Sequence, residues 1–263
     1  KKVLLLWLAM IVSIYVLFFL EIILHEAGHM LFGLMTGYGF GSFRAGSLML
    51  IKNGQGWRVR RLRLGGTGGQ CLMDPPTMVD GKMPYVLYNL GGCIINLVTA
   101  ALCFGLSFLC EAGTFGYALL LLAALIGLAF ALFNGLPLPG EIANDGKNAL
   151  DLGKDPEALK AFRIQMMLKK YFQSLGGVYM LGDSVTEGKF ENGRLKSIKT
   201  LNNEATEFEA DNFVLATGSF FSKGIVASQN GVVEPVFGLD VDATSDRTDW
   251  YERNVFDAQP YMK

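Results

Sequence analysis

Apolar residues fall into two regimes along this 263-residue chain. Before Asn134 they form long unbroken runs; later they come in short groups separated by Gly, Asn, Asp and Lys. Three runs are long enough to cross a bilayer as helices, for which about 20 apolar residues suffice. They are residues 3–20, interrupted only by Ser13, residues 83–110, which carry no charge, and residues 112–133, rich in Leu and Ala. The first has no small-residue cleavage site and runs on into His25 and Glu26, so it reads as a span and not as a secretory signal. Residues 47–52 and 57–64 alternate loosely around Asn53-Gly54-Gln55-Gly56, which predicts a β-hairpin with an edge open to an extended peptide.

After the third run Pro137 and Pro139 break the helix. A soluble helix then follows, with Asp155 as N-cap, Pro156 in its first turn and Leu159, Phe162 and Met166 as an apolar stripe. Beyond Tyr171 the pattern turns strand-like. Asn192-Gly193 marks a hairpin turn, and residues 211–219 predict a buried strand through Phe213-Val214-Leu215 into Ala216-Thr217-Gly218. The expected fold is an α-helical membrane domain of about three transmembrane helices with a cytoplasmic β-hairpin, followed by a soluble β-rich α/β fragment. Its expected parts are a membrane core over 1–150, an amphipathic helical junction over 151–170 and the β-rich fragment over 171–263.

Charge sharpens this division. Up to Lys170 there are 15 basic and 10 acidic residues, and from Tyr171 on 8 basic and 14 acidic, so a net −1 conceals halves of +5 and −6. Arg44, Lys52, Arg58, Arg60, Arg61, Arg63 and Lys82 face only Asp74 and Asp80 between the first two spans, which places that loop on the cytoplasmic side. The bias of this loop outweighs Lys1 and Lys2, so the carboxyl-terminal part is expected in the cytoplasm and the chain in a plasma membrane. A basic loop beside a bilayer has anionic headgroups as its partner, and nothing points to nucleic acid. Cys71, Cys93, Cys103 and Cys110 form no C-x-x-C pair and read as small packing residues.

The chain's two histidines lie in His25-Glu26-Ala27-Gly28-His29. Helical spacing of i and i+4 turns both imidazoles toward one ion, and Glu26 beside them suits a general base acting on metal-bound water. Ionisable groups in an apolar helix are expensive, about 2.5–3.5 kcal/mol each at mid-bilayer, which favours a functional reading. A third ligand is needed. Topology brings Glu141, Asp145 and Asp80 to the same side as the histidines.

These features resemble the site-2 protease family of intramembrane zinc metalloproteases over about residues 1–168. Gly92-Cys93-Ile94-Ile95-Asn96 is similar to that family's Gly-Pro-x-x-Asn, with Cys93 in place of the proline. Asn134-Gly135-Leu136-Pro137-Leu138-Pro139 ahead of Asp145-Gly146 is similar to its Asn-x-x-Pro-x-Pro and Asp-Gly, with a few extra residues between. The resemblance implies one Zn2+ per chain held by His25, His29 and Asp145; because Asn144-Asp145-Gly146 is also a turn signature, Glu141 stands as the substitute ligand. It implies Glu26 as the catalytic base, Asn96 and Asn134 as substrate-positioning residues, and membrane-anchored proteins as substrates.

From about Tyr171 the chain resembles an internal piece of a different family, the flavoprotein (B) component of anaerobic glycerol-3-phosphate dehydrogenase. The matching stretches are Gly176-Gly177-Val178-Tyr179-Met180-Leu181-Gly182-Asp183, Val214-Leu215-Ala216-Thr217-Gly218-Ser219-Phe220-Phe221-Ser222, Glu234-Pro235-Val236-Phe237-Gly238-Leu239-Asp240 and Gln259-Pro260-Tyr261-Met262. Ala216, Thr217 and Gly218 are similar to the Ala-Thr-Gly element of two-dinucleotide flavoproteins and are the candidate flavin contacts. No Gly-x-Gly-x-x-Gly follows a strand, so this segment is not expected to hold flavin tightly. The expectation is therefore a zinc metalloendopeptidase joined near residues 168–172 to a flavoprotein piece. The alternatives are a flavin-dependent redox subunit or an inactive fusion of the two.

Overall fold

The computed structural model describes residues 2–53, 56–61, 68–140, 143–179, 184–201, 207–217, 224–228, 231–239 and 241. The chain divides into two compact units, Lys1–Leu181 and Gly182–Lys263.

Unit one begins with helix α1 (Lys2–Met35), which continues far beyond the run read from hydropathy and carries the whole His-Glu-Ala-Gly-His motif in its last third. Helix α2 (Val86–Ser107) and helix α3 (Phe115–Gly135) follow the sheet described next. These three helices are long and apolar enough to cross a membrane by length and composition. The long apolar side chains of α1, from Leu4 to Leu20, are mostly exposed, as they must be if lipid is their solvent.

The segment between α1 and α2 folds into four strands: β1 (Gly39–Ala45), β2 (Leu48–Asn53), β3 (Gly56–Arg61) and β4 (Gly69–Asp74). All pairs are antiparallel in the order β3-β2-β1-β4. The expected hairpin is β2 and β3; Leu64 lies outside the described residues. The expectation of a lone hairpin is corrected, because β4 returns to close the other edge of β1. Arg44, counted with the basic loop, is buried within β1, and its guanidinium donates to the carbonyls of Gly46 and Gly69. Burial lowers its pKa, an effect that Glu26 partly offsets.

Helix α4 (Asp145–Asp151) starts at Asn144, whose side chain accepts from the Lys147 amide. Helix α5 (Pro156–Ser174) is capped by Asp155 and has Pro156 in its first turn, as its sequence predicts. Leu159 and Met166 of its apolar stripe are buried. Met166 joins Tyr38, Cys71, Met73 and Tyr88 in a core between α5, the sheet and α2, with Phe162 packed against it. The Tyr38 and Tyr88 rings stack at 4.6 Å between centroids. Buried Gln173 accepts from the Ser42 hydroxyl, and Lys170 pairs with Asp74, so α5 is tied to the sheet by polar contacts too.

Unit two holds β5 (Val185–Glu191), β6 (Arg194–Thr200) and β7 (Phe208–Glu209) in one antiparallel sheet, and β8 (Val226–Ser228) with β9 (Gly231–Val233) in a second. The expected turn at Asn192-Gly193 joins β5 to β6, with positive φ at both residues as a type I′ turn requires. The buried strand expected over 211–219 is corrected. Residues 212–217 form no strand, and Val214 is 89% exposed. An apolar run becomes a strand only where neighbours cover it and take its backbone hydrogen bonds.

After β9, the Glu234 carboxylate accepts from the amides of Val236 and Phe237 at 2.9 and 2.6 Å. Burial works to raise its pKa, but these amides, with those of Gly238 and Leu239, outweigh it and hold it below the ordinary 4.5. A depressed carboxyl contributes stability above its unfolded pKa and loses it as pH falls through the folded value. Unit two is expected to destabilise on acidification below about pH 4.5, and Glu234→Gln to flatten that dependence. Denaturant melts at pH 3–7 check this; an unchanged slope in the variant overturns it.

Candidate functional site

The site in unit one begins with a close crossing of α1 and α2. Gly28 and Gly91 meet backbone to backbone, and a Cβ on Gly91 would lie 2.6 Å from the Gly28 carbonyl oxygen. This approach sets the His25 ring over Gly92 and next to Asn96, a fully buried residue of α2. The Asn96 amide nitrogen donates to the Glu21 carboxylate at 2.6 Å and to the Glu21 carbonyl at 3.1 Å. Its Oδ1 is thereby turned to accept from His25 Nδ1 at 2.6 Å. His29 Nδ1 donates to the Tyr88 carbonyl at 2.8 Å. Both imidazoles thus carry their proton on Nδ1 and present Nε2 to a common point, the arrangement in which a histidine ligates a metal.

Asp145 reaches that point from α4. The Asn144 amide donates to the carbonyls of Phe133 and Leu136 and fastens the start of α4 to the end of α3. Gly146 packs so closely on the Gly135 carbonyl that no side chain fits there. Asp145 Oδ2 lies 3.0 Å from His25 Nε2 and 3.4 Å from His29 Nε2, and the two Nε2 atoms are 3.1 Å apart. A tetrahedral ion with bonds of about 2.0–2.1 Å keeps its N and O ligands about 3.3 Å apart. The three observed separations suit such an ion. Glu26 accepts from the Cys71 amide of β4 and borders a cavity of about 750 Å³, shared with His25, His29, Asn134 and Asp145.

The structure therefore brings together His25, His29, Asp145 and Glu26. Glu141 lies outside the described residues. Asp80 is in an exposed turn bridged by Val79 and Lys82 and is not in the cluster. Asn96 is locked between Glu21 and His25, and the Asn134 amide donates to the Phe130 carbonyl one turn back. Two residues were missed from sequence. Glu21 is buried and holds Asn96; its signal is a carboxylate one turn before His25 in an apolar helix. Cys93, read as packing, has its thiol 3.9 Å from Asp145 Oδ2 and belongs to a potential ligand group with His25 and Asp145. Its signal is the cysteine standing where the resembled motif has proline.

In unit two Ala216 and Thr217 lie exposed on the extended segment, and Gly218 is outside the described residues. One polar cavity of about 430 Å³ in this unit is lined by Glu191, Glu207, Glu209 and Asp211 with Lys189 and Lys196.

Comparison with known proteins bears on the second part of the chain. The family described as "FAD binding domain" matches residues 155–263. The chain is 36% identical over 145 residues to the B component of anaerobic glycerol-3-phosphate dehydrogenase from Yersinia enterocolitica, covering 55% of this chain and 33% of that protein. It is 38% identical over 116 residues to the same component from Aliivibrio fischeri, covering 40% and 26%. With that of Vibrio cholerae the identity is 40% over 109 residues, covering 41% and 25%. The chain thus spans about a third or less of the length of these curated relatives. No solved structure matches it.

A segment of this chain therefore resembles a dehydrogenase flavoprotein subunit, and the match to the FAD-binding family starts at residue 155, ahead of the junction expected near 168–172. These matches overturn the expectation of a zinc metalloendopeptidase acting on membrane-anchored proteins. The relatives are oxidoreductase subunits and the matched family binds FAD, so hydrolase chemistry, zinc as the cofactor and the setting aside of flavin are all corrected. The resemblance of residues 1–168 to intramembrane proteases gains no support from them.

Proposed function

We propose that residues 155–263 serve as part of the FAD-binding domain of a flavoprotein dehydrogenase subunit. The match of that segment carries the reading. The described residues fit FAD at one edge. Phe213-Val214-Leu215 is an extended, largely uncovered apolar run that leads straight into Ala216 and Thr217. Such a run needs neighbouring strands and a flat apolar partner to cover it. The carboxylate-lined cavity does not fit, since Glu191, Glu207, Glu209 and Asp211 repel a diphosphate. Ala216, Thr217 and Gly218 would face the cofactor, which when bound supplies two-electron redox chemistry. The identity of the electron donor follows the relatives' names only as far as a polyol phosphate.

FAD titrated into the purified chain is expected to lose fluorescence on binding, and Ala216→Asp, which sets a carboxylate against the cofactor, to weaken binding about tenfold or more. A chain that leaves FAD fluorescence unchanged, or a variant equal to the parent, overturns the reading.

A second reading rests on a separate observation, the mutual 3.0–3.4 Å spacing of His25 Nε2, His29 Nε2 and Asp145 Oδ2. We infer that these three residues hold a divalent transition-metal ion, with the exposed apolar helices in a bilayer and the basic residues of β3 toward the cytoplasmic headgroups.

A further inference from the structure

Helix α5 carries apolar side chains on two faces. Leu159, Phe162 and Met166 point inward, the last two into the core with Tyr38 and Tyr88. Ile164, Met167, Leu168, Tyr171, Phe172 and Leu175 recur at helical spacing and are 40–70% exposed, so a second apolar stripe runs along the outer face. A helix beside water turns polar and charged residues outward, and a continuous apolar stripe in their place marks a surface that something covers. The surroundings of α5 identify the cover. Its Met166 and Lys169 line the cavity of about 750 Å³ together with Phe18 of α1 and Phe130 of α3. Those two rings meet edge to face at 4.9 Å, and Phe18 belongs to the outward-facing apolar stretch of α1. Helix α5 therefore lies beside the long apolar helices. At its carboxyl end Arg60 donates to the Gly176 carbonyl at 2.8 Å, which brings the exposed basic strand β3 to the last turn of the stripe.

We propose that α5 is an interfacial helix whose outer stripe is covered by the bilayer itself, at the boundary between acyl chains and anionic headgroups in the leaflet reached by the end of α3. The proposal rests on the reading that α1, α2 and α3 cross a bilayer. Interfacial helices seat their apolar face about 5–10 Å into that boundary. Ile164, Leu168, Phe172 and Leu175 supply such a face, while Tyr171 keeps its hydroxyl at headgroup level, as amphipathic rings do. The guanidinium groups of β3 complement the anionic headgroups beside it. The inner side of α5 is already engaged within unit one, where Arg163 donates to the Pro76 carbonyl and Lys170 pairs with Asp74. These contacts fix the rotation of the helix and hold its apolar stripe outward.

The test is tryptophan fluorescence of the full chain in vesicles of phosphatidylcholine and phosphatidylglycerol, with acyl chains brominated either near the headgroups or near the bilayer centre as quenchers. Leu168→Trp and Leu125→Trp place reporters at exposed positions of α5 and of the middle of α3, and the emission of the parent chain, from Trp7, Trp57 and Trp250, is subtracted. The Leu168→Trp emission is expected to be lost chiefly to bromine near the headgroups, and that of Leu125→Trp chiefly to bromine near the centre. Leu168→Trp emission that survives both quenchers while Leu125→Trp is quenched overturns the proposal alone, since water, unit two or a second copy then lies against the stripe. Survival of both reporters overturns the bilayer reading with it. Loss of the Leu168→Trp emission chiefly to bromine near the centre overturns an interfacial seat. Vesicles without phosphatidylglycerol are expected to quench Leu168→Trp less, and equal quenching overturns the share of the β3 arginines.

Discussion

Replacing Asn96 by Ala is expected to destabilise unit one by about 1.5–3 kcal/mol, the range for a buried hydrogen bond to a charged group. Asn96 is fully buried and satisfies two groups at once, donating to the Glu21 carboxylate and accepting from His25 Nδ1. Its loss leaves a carboxylate 4% exposed without that donor, and His25 Nδ1 without its acceptor. Thermal melting of the solubilised chain measures the effect. The double variant Glu21→Gln with Asn96→Ala is expected to recover part of the loss, because a neutral amide is far cheaper to leave buried than a carboxylate. A loss below about 1 kcal/mol in the single variant would show that Glu21 is not held by Asn96.

Gly91→Ala and Gly105→Ala, two identical changes on α2, are expected to have opposite signs. A Cβ at Gly91 meets the Gly28 carbonyl oxygen at 2.6 Å, its carbon at 2.9 Å and His29 Cα at 3.2 Å, all backbone atoms that cannot swing away. Helices α1 and α2 must part, at a cost of about 3 kcal/mol, and His25 and His29 leave their partners. At Gly105 nothing lies within 4 Å, so alanine is expected to stabilise the helix by about 0.5–1 kcal/mol. Paired melts decide the matter. Equal shifts of the same sign would mean that the close approach of α1 and α2 is not what holds the helices in register.

The parts of the fold readable from sequence were those written in local pattern. Helices α1, α2 and α3 followed from unbroken apolar runs, α5 from Asp155, Pro156 and its stripe, and the β5–β6 turn from Asn192-Gly193. What escaped depends on distant partners. Strand β1 has no clean alternation, and it exists because residues 69–74 return to pair with it. Helix α4 is only 7 residues long and is held by Asn144 bonding back to α3. At the candidate site His25, Glu26 and His29 were legible from spacing. Asp145 needed a resemblance and Cys93 was passed over, since no spacing rule connects residues 93 and 145. The converse failure is Phe213-Val214-Leu215, where local pattern promised a strand that has no covering neighbour.

The function read from the motif was overturned by comparison, and the physical lesson lies in how little a pentapeptide specifies. His25 and His29 supply two donor atoms of a candidate site and say nothing of what completes it.

The uncovered apolar surface of α1 has a calorimetric consequence. At 34 residues the helix is about 51 Å long, well beyond α2 and α3, and most of its side chains from Leu4 to Leu20 face outward. In a bilayer or micelle, parting it from α2 and α3 exchanges protein contacts for acyl chains and exposes little apolar surface to water. The heat-capacity increment that accompanies unfolding of soluble domains should be nearly absent for the helices. A differential scan of the whole chain then reports chiefly on its sheets, and a mild baseline step would be no sign that the helical part is loosely packed.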